Sequence, residues 1–412
     1  MFEHLGIAPA DILLPNCNLS KWSVIACDQF TSQTDYWNRV DRIVGTAPSA
    51  LRLVLPEAYL RGRDIGRSVD SIQSTMQSYL DQHLFYTCKN AMVYVERYVS
   101  GGAIRKGLVC QVDLEEYEYR PGSQSLIRAT ENTVEDRIPP RMRIREGAPL
   151  ELPHVMILMD DSRKALLEPL AEKKDHMEKL YGFSLMEDGG RIDGWRLDEE
   201  TTAVLEADLR LLREHTDMLF AVGDGNHSLA AAKAIYERDK EHTPKSEWAA
   251  LPSRWALAEI VSLNDAGVEF LPIHRMVFGV NAEHLLEEFR AYYPETLSEE
   301  GAGHVFRYCS KDYSGTLTVP QPEQQLAVET LQNFLDDYVA KYGGKIDYIH
   351  DMNAVQEICR QTRCIGFLLP EFPREALFPF VKTRGALPRK TFSIGHSRDK
   401  RYYLEARLLR GE

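Results

Sequence analysis

The sequence predicts an α+β, mixed α/β fold, and three observations carry that expectation. Strand-like and helix-like stretches alternate at short intervals along 412 residues, 44% of which are hydrophobic. No repeat of fixed period or low-complexity segment breaks the alternation. Nowhere do about 18 apolar residues run together as a membrane span would require.

The elements follow from their periodicities. "SVDSIQSTMQSYLDQHLF" (68–85) places Val69, Ile72, Met76 and Leu80 on one helical face, with Ser68 as the expected N-cap. "AMVYVERYV" and "GLVCQVDLEEYEY" read as strands, and "SGGAIRKG" between them makes a hairpin. "LDEETTAVLEADLRLLREH" is a helix, "DMLFAV" a short buried strand, "HSLAAAKAIYERDKE" a helix again, and "RWALAEIVSL" a further strand. Beyond residue 280, "AEHLLEEFRAYY", "VFRYC", "GTLTV", "ETLQNFLDDYVAKYG", "IDYIH" and "CIGFLLP" continue the mixture. Proline and glycine clusters near 139–153 and 295–303 are candidate joints. We expect a core over 1–280 and a C-terminal α+β region over 281–412 whose last segment returns to the core's site.

Composition narrows the function classes. With 49 basic against 62 acidic side chains the formal net charge is -13. That balance repels polyanions and disfavours nucleic acid as a partner. Seven scattered cysteines without a C-x-x-C pair suggest neither a disulfide framework nor a zinc site. The opening "MFEHLGIAPADILLP" lacks a basic leader, so the expectation is a cytoplasmic chain with no membrane partner. H-E-x-x-H, G-x-S-x-G and G-x-x-x-x-G-K-[ST] are all missing from the sequence.

The stretch that asks for chemistry is "VGDGNHSLAAAKAIYE", residues 222–237. A glycine-containing turn that launches a helix leaves backbone N–H groups unpaired where the macrodipole favours an anion, which suits a phosphate. Gly223 and Gly225 permit positive φ and close approach of a ligand. Asp224 could orient a hydroxyl or hold a metal, and His227 could donate to a phosphate oxygen. The plain alternative is an ordinary turn in which Asp224 or Asn226 caps the helix. Gly223-x-Gly225-x-x-Ser228 imitates a dinucleotide fingerprint, but Ser228 replaces the third small residue and no acidic strand end follows.

At this turn and four other places the chain resembles the prokaryotic family catalogued as domain of unknown function 1015. "GDGNHSLAAA" is similar to its A-D-G-H-H-R-x-x-A-A. "IRATENTVEDR" (127–137) resembles R-x-H-E-x-T followed by D-R, and "FLPIHRMV" (270–277) resembles L-P-x-H-R. "IDYIHD" (346–351) resembles Y-x-H, and "LPRKTFSIGH" (387–396) resembles M-P-x-K-S-T-x-F. "CDQFTSQTDYW", with Cys27, Asp28, Gln29 and Thr31, is loosely similar to a P-Y-D segment. The family's strand-turn-helix motif is similar in turn to the phosphate cradles of ParB-type switches, sulfiredoxins and free serine kinases. The resemblance implies a ParB/sulfiredoxin-like core, nucleotide binding and phosphoryl transfer. Asn226 stands where the first His is usual and Ser228 where the Arg is, which removes a bidentate phosphate fork.

A helix terminus alone contributes only about 0.3–1 kcal/mol per anion at an exposed site, so cations are needed. Arg137, Arg275 and Lys390 in the resembling segments supply them if they converge on His227. His274 and Thr391 accompany them as cofactor-binding candidates, with Gly223, Gly225, Asn226 and Ser228. Glu131 matches the family's H-E-x-T glutamate, with Thr130 in place of the His, and is the expected base. Asp136 and Asp224 are the candidate ligands for Mg²⁺, and ATP or ADP is the expected cofactor. Each cation also has a bland reading as a surface or salt-bridging side chain. The expected function is nucleotide binding with phosphoryl transfer to a small-molecule hydroxyl, such as that of free serine. The rival class is a noncatalytic nucleotide or metabolite sensor, and a homo-oligomer is allowed in either case.

Overall fold

The computed structural model describes residues 2–60, 64–132 and 138–410. Helix accounts for 38% and strand for 28% of the chain, the mixed class that the alternation predicts. Two compact units form. The first comprises 1–268, 377–386 and 394–412; the second comprises 269–376 and 387–393.

The first unit is built on a ten-stranded mixed sheet. Its path runs Glu178–Ser184, Arg191–Arg196, Val93–Tyr98, Ile104–Asp113, Trp255–Ser262, Met156–Met159, Phe220–Asp224, Ile127–Ala129 and Tyr117–Glu118, with Ile7–Ala8 paired to Ile104–Asp113. The expected hairpin is present: Val93–Tyr98 and Ile104–Asp113 pair antiparallel, Tyr94 opposite Leu108. Both faces of the sheet are covered. Along its central strands Tyr94, Leu108, Cys110, Ala258 and Ile260 join one core, while Val93, Val95, Val109 and Leu257 join the other. Strand geometry sends alternate residues to opposite faces, so a sheet with two cores needs near-continuous apolar strands. Trp255–Ser262, "WALAEIVS", is one such strand, buried at every position but its first.

Helix Ile65–Asp81 buries Val69, Ile72 and Met76, as its stripe predicts, but its N-cap is Asp64, whose side chain accepts from the Arg67 amide. Ser68 therefore lies inside the helix, its Oγ donating to the Asp64 carbonyl at 3.0 Å. Helices Glu199–Arg213 and Asn226–Glu241 stand where the sequence puts them.

The second unit carries an antiparallel five-stranded sheet in the order Ser314–Val319, His304–Ser310, Cys364–Leu368, His274–Phe278 and Lys345–Ile349. Helices Ala282–Tyr292 and Ala327–Tyr342 cover one face through Leu285, Phe289, Leu331 and Phe334. Helix Met352–Gln361 covers the other, where Val355 and Cys359 meet Met276 and Cys364. Among the described residues no helix is long and apolar enough to cross a membrane.

The C-terminal segment threads the first unit. Tyr402, Tyr403, Leu404 and Ala406 are buried in its second core. Just before them Arg401 reaches Glu259 Oε2 and Glu405 Oε2, both at 2.5 Å, and Tyr181 donates to Glu405 Oε1 at 2.5 Å. Arg407 Nε donates to Glu151 Oε1 at 2.6 Å. Burial pushes the Glu259 carboxyl up, but Arg401 and Arg105 outweigh it and hold the group below its ordinary value. Glu151 is likewise held low against its burial, by Arg145 and Arg407.

Removing one partner from a buried ion pair strands the other charge and typically costs about 3–5 kcal/mol. Arg401→Met should lower the unfolding free energy by that order. Arg39→Ala, which breaks an exposed pair with Glu187, should leave it nearly unchanged. All five tryptophans lie in the first unit, so their fluorescence in urea reports it specifically. Glu259 and Glu151, with folded pKa values below the unfolded ones, contribute stability that is full above the ordinary glutamate value of about 4.3 and lost as pH falls through the folded values. Urea midpoints should therefore drop below about pH 4.5, and Glu259→Gln should flatten that drop.

Candidate functional site

The turn at 223–228 is made by its neighbours. Strand Phe220–Asp224 runs between Ile127–Ala129, parallel, and Met156–Met159, antiparallel, and its register with the latter shifts between Val222 and Asp224. Gly223 stays out of the positive-φ region that glycine permits. It is glycine for lack of room: a Cβ there would lie 2.7 Å from Ile394 Cδ1 and 2.8 Å from Leu158 Cγ. Gly225 does adopt the left-handed conformation, φ 82° and ψ 24°, and a Cβ would come within 3.0 Å of Val155. Helix Asn226–Glu241 starts at that glycine, which has no side chain with which to cap it. The Ser228 and Leu229 amides go to the Gly225 carbonyl, each at 3.0 Å, and the Asp224 carboxylate stands at the positive end of the dipole.

Asp224 does not cap the helix. Its Oδ2 lies 3.2 Å from Lys400 Nζ, and its Oδ1 accepts from the Gly225 amide at 3.1 Å. Lys400 is buried, with 7% of its side chain exposed, so its charge is screened little by solvent. Asn226 turns inward: its Oδ1 accepts from the Thr130 amide at 3.3 Å, and Thr130 Oγ1 donates to the Val222 carbonyl at 2.6 Å. Asn226 thereby joins the turn to the end of strand Ile127–Ala129. His227, half-buried, occupies the second helical position, and Glu131, also half-buried, directly follows Thr130.

Ser228 Oγ sits 3.0 Å from His154 Nε2, and His154 Nδ1 lies 3.0 Å from the Tyr403 hydroxyl. The Cys27 amide donates to that hydroxyl at 3.2 Å. Asp28, half-buried, completes the cluster. Burial pushes its carboxyl up, but His154, a hydrogen bond from Gln29, Lys400 and Arg141 together hold it below the usual carboxylate value. Arg141 is itself ion-paired with Glu57. The turn thus carries a buried ammonium, an imidazole, a hydroxyl and two carboxylates, all from the first unit.

Asp136 and Arg137 fall outside the described residues. His274, Arg275, Lys390 and Thr391 belong to the second unit. There Arg275 is fully buried and donates to the carbonyls of Lys390 at 2.8 Å and Arg389 at 3.3 Å, and to Gln332 Oε1 at 3.1 Å. It clamps the loop that carries Lys390, whose own φ is +59°. Thr391 Oγ1 donates to the Pro388 carbonyl at 2.6 Å. His274 is a core-edge histidine: its Nδ1 accepts from the Leu369 amide at 3.1 Å, and burial, aided by Arg275, lowers its pKa.

Sequence reasoning missed Lys400, His154 and Tyr403. His154 did leave a signal, because it stands just before strand Met156–Met159, whose first residue pairs with Asp224. A polar residue at the start of one strand borders the end of its antiparallel neighbour. Among the described residues no group of three or more acidic, histidine or cysteine side chains is placed to hold a metal.

No curated protein matches the chain. Similar solved structures include a conserved hypothetical protein from Pyrococcus furiosus, at 12% identity and a TM-score of 0.37 over 72% of this chain and 90% of that one. A free serine kinase in complex with AMP matches at 10% identity and a TM-score of 0.41 over 73% of this chain and 92% of that one. SbnI with a C-terminal truncation, from Staphylococcus aureus, matches at 9% identity and 0.39 over 70% and 82%. At these identities and scores none of the three carries an argument about chemistry. A family model matches residues 7–338, well over half of the 412 residues, and the chain accordingly belongs to the family described as "Protein of unknown function (DUF1015)".

Proposed function

We propose that the turn at 223–228 seats the phosphates of a nucleotide, ATP or ADP, and that the chain transfers a phosphoryl group to the hydroxyl of a small compound such as free serine. One observation carries the reading: a helix N-terminus with a left-handed glycine as its N-cap lies beside a buried lysine, Lys400, through Asp224. The dipole alone is too weak to anchor a polyphosphate. A buried ammonium adds charge-assisted hydrogen bonds worth roughly 1.5–3 kcal/mol each. His227 and the Ser228 hydroxyl add donors on the same helical turn, and Gly225 lets the backbone approach the ligand.

Glu131 is the base assigned to the acceptor hydroxyl. Thr130, its neighbour, is tied to the Val222 carbonyl, so Glu131 borders the turn. Asp224 has both oxygens engaged, and in this reading Mg²⁺ arrives on the nucleotide's phosphates, where it would neutralise charge. The chain's own residues bind the nucleotide and move the acceptor's proton.

A noncatalytic sensor is the second reading, and the inward-turned Asn226 favours it. A turn that spends one side chain on its own scaffold grips phosphate more weakly than a transferase requires. Bound nucleotide that is never consumed with any hydroxyl acceptor would select the sensor.

Titration calorimetry with ATP, ADP and CTP in the presence of Mg²⁺ should show saturable heat with at least one of them; silence with all three removes the nucleotide reading. Lys400→Met should weaken binding about 10- to 100-fold, the equivalent of one or two charge-assisted bonds. His227→Ala should weaken it less, because the imidazole contributes one hydrogen bond where the buried ammonium contributes a charge as well. Incubation of the nucleotide-loaded chain with free serine should yield phosphoserine. A chain that binds nucleotide yet makes none loses serine as its acceptor.

A further inference from the structure

We propose that Ser228 is a phosphoryl-accepting nucleophile: a nucleoside triphosphate seated at the turn transfers its terminal phosphoryl group to Ser228 Oγ, with His154 as general base. The inference rests on nucleotide binding at the turn and adds to it a covalent phosphoserine on the chain itself.

The geometry is that of an activated hydroxyl. Ser228 Oγ and His154 Nε2 are 3.0 Å apart, within reach for direct proton transfer. On the far side of the ring the Tyr403 hydroxyl lies 3.0 Å from Nδ1 and accepts from the Cys27 amide at 3.2 Å. Burial first, and then Cys27, push the Tyr403 pKa far above its ordinary value, so it stays a phenol. In the proposed step Nδ1–H donates to Tyr403 and the Nε2 lone pair faces Ser228. Asp28, a carboxylate in the same cluster, stabilises the imidazolium once the proton arrives.

Position supplies the rest. The Ser228 amide donates to the Gly225 carbonyl at 3.0 Å, which fixes the serine in the first turn of the helix. A phosphate drawn to that helix end lies next to the hydroxyl, and little orientational freedom remains to be lost. In the step, Oγ attacks the terminal phosphorus, an Oγ–P bond forms, and the bond from that phosphorus to the bridging oxygen breaks. The nucleoside diphosphate leaves with the electron pair, and the hydroxyl proton passes to His154 Nε2. No oxidant or further reactant is needed.

The test uses the full chain with Mg²⁺ and either ATP or CTP labelled on the terminal phosphate. Intact mass and peptide mapping locate any covalent phosphoryl group, and calorimetry with ADP runs on the same preparation. One phosphoryl group per chain on Ser228, absent from Ser228→Ala, supports the proposal. Bound nucleotide with an unmodified chain, or with the label on another residue, overturns it and leaves the nucleotide reading standing. No binding of any nucleotide removes both. His154→Gly should slow labelling about 100-fold, and added imidazole should restore it in part. Labelling at the wild-type rate in that variant removes His154 as the base.

Discussion

The interaction on which the first unit depends is the burial of Arg401 between Glu259 and Glu405. Glu259 lies on Trp255–Ser262, the strand that joins the antiparallel and parallel portions of the large sheet. Glu405 and Arg401 come from the C-terminal tail. Leaving a buried guanidinium without its partners is costly, so a shifted tail that separates Arg401 from Glu259 is disfavoured. Tyr402, Tyr403 and Leu404 then enter the second core, and Arg407 reaches Glu151. A hydrophobic tail alone would be free to slide, whereas the charge ladder along 400–407 prevents it.

That register decides what the turn can do. Lys400 meets Asp224 and Tyr403 meets His154 on the same short segment that Arg401 ties to Glu259. The turn itself contributes neutral donors and a dipole, and its cation is delivered by a segment far along the chain, at its C-terminal end. Thr130 and Asn226, two positions where this chain departs from a histidine of the family pattern, are hydrogen-bonded to each other. Both side chains also reach the Val222 carbonyl and so close on the backbone of the turn's own strand.

Local physics was readable where the deciding contacts are local. The stripe Val69, Ile72, Met76 marks its helix because those residues recur at helical spacing, while Asp64 and Ser68 are equally competent caps that only the first amides can tell apart. Gly225 was legible as a left-handed turn residue. Gly223 was not, because its need comes from Leu158 and Ile394, side chains brought in by the sheet and the tail. The same limit hid the cations. Lys400 stands in "SRDKR", a run whose composition reads as solvated surface, and Arg275 stands in a motif-like segment yet spends its donors on carbonyls. Burial and pairing of charges are properties of long-range closure, which periodicity does not encode.

The coupling between tail and turn has a thermodynamic consequence. If an anion at the helix end is held by Lys400, its binding energy is available only to molecules whose tail is docked, since an undocked tail removes the ammonium and exposes Asp224 at once. A ligand that binds one form alone stabilises that form in proportion to its occupancy. Nucleotide at this turn would therefore tighten the same Arg401–Glu259 lock that positions the lysine, and loosening the lock would weaken the ligand by the same free energy. Stability of the first unit and affinity of its turn are in this sense one equilibrium, joined through the consecutive residues from Lys400 to Glu405.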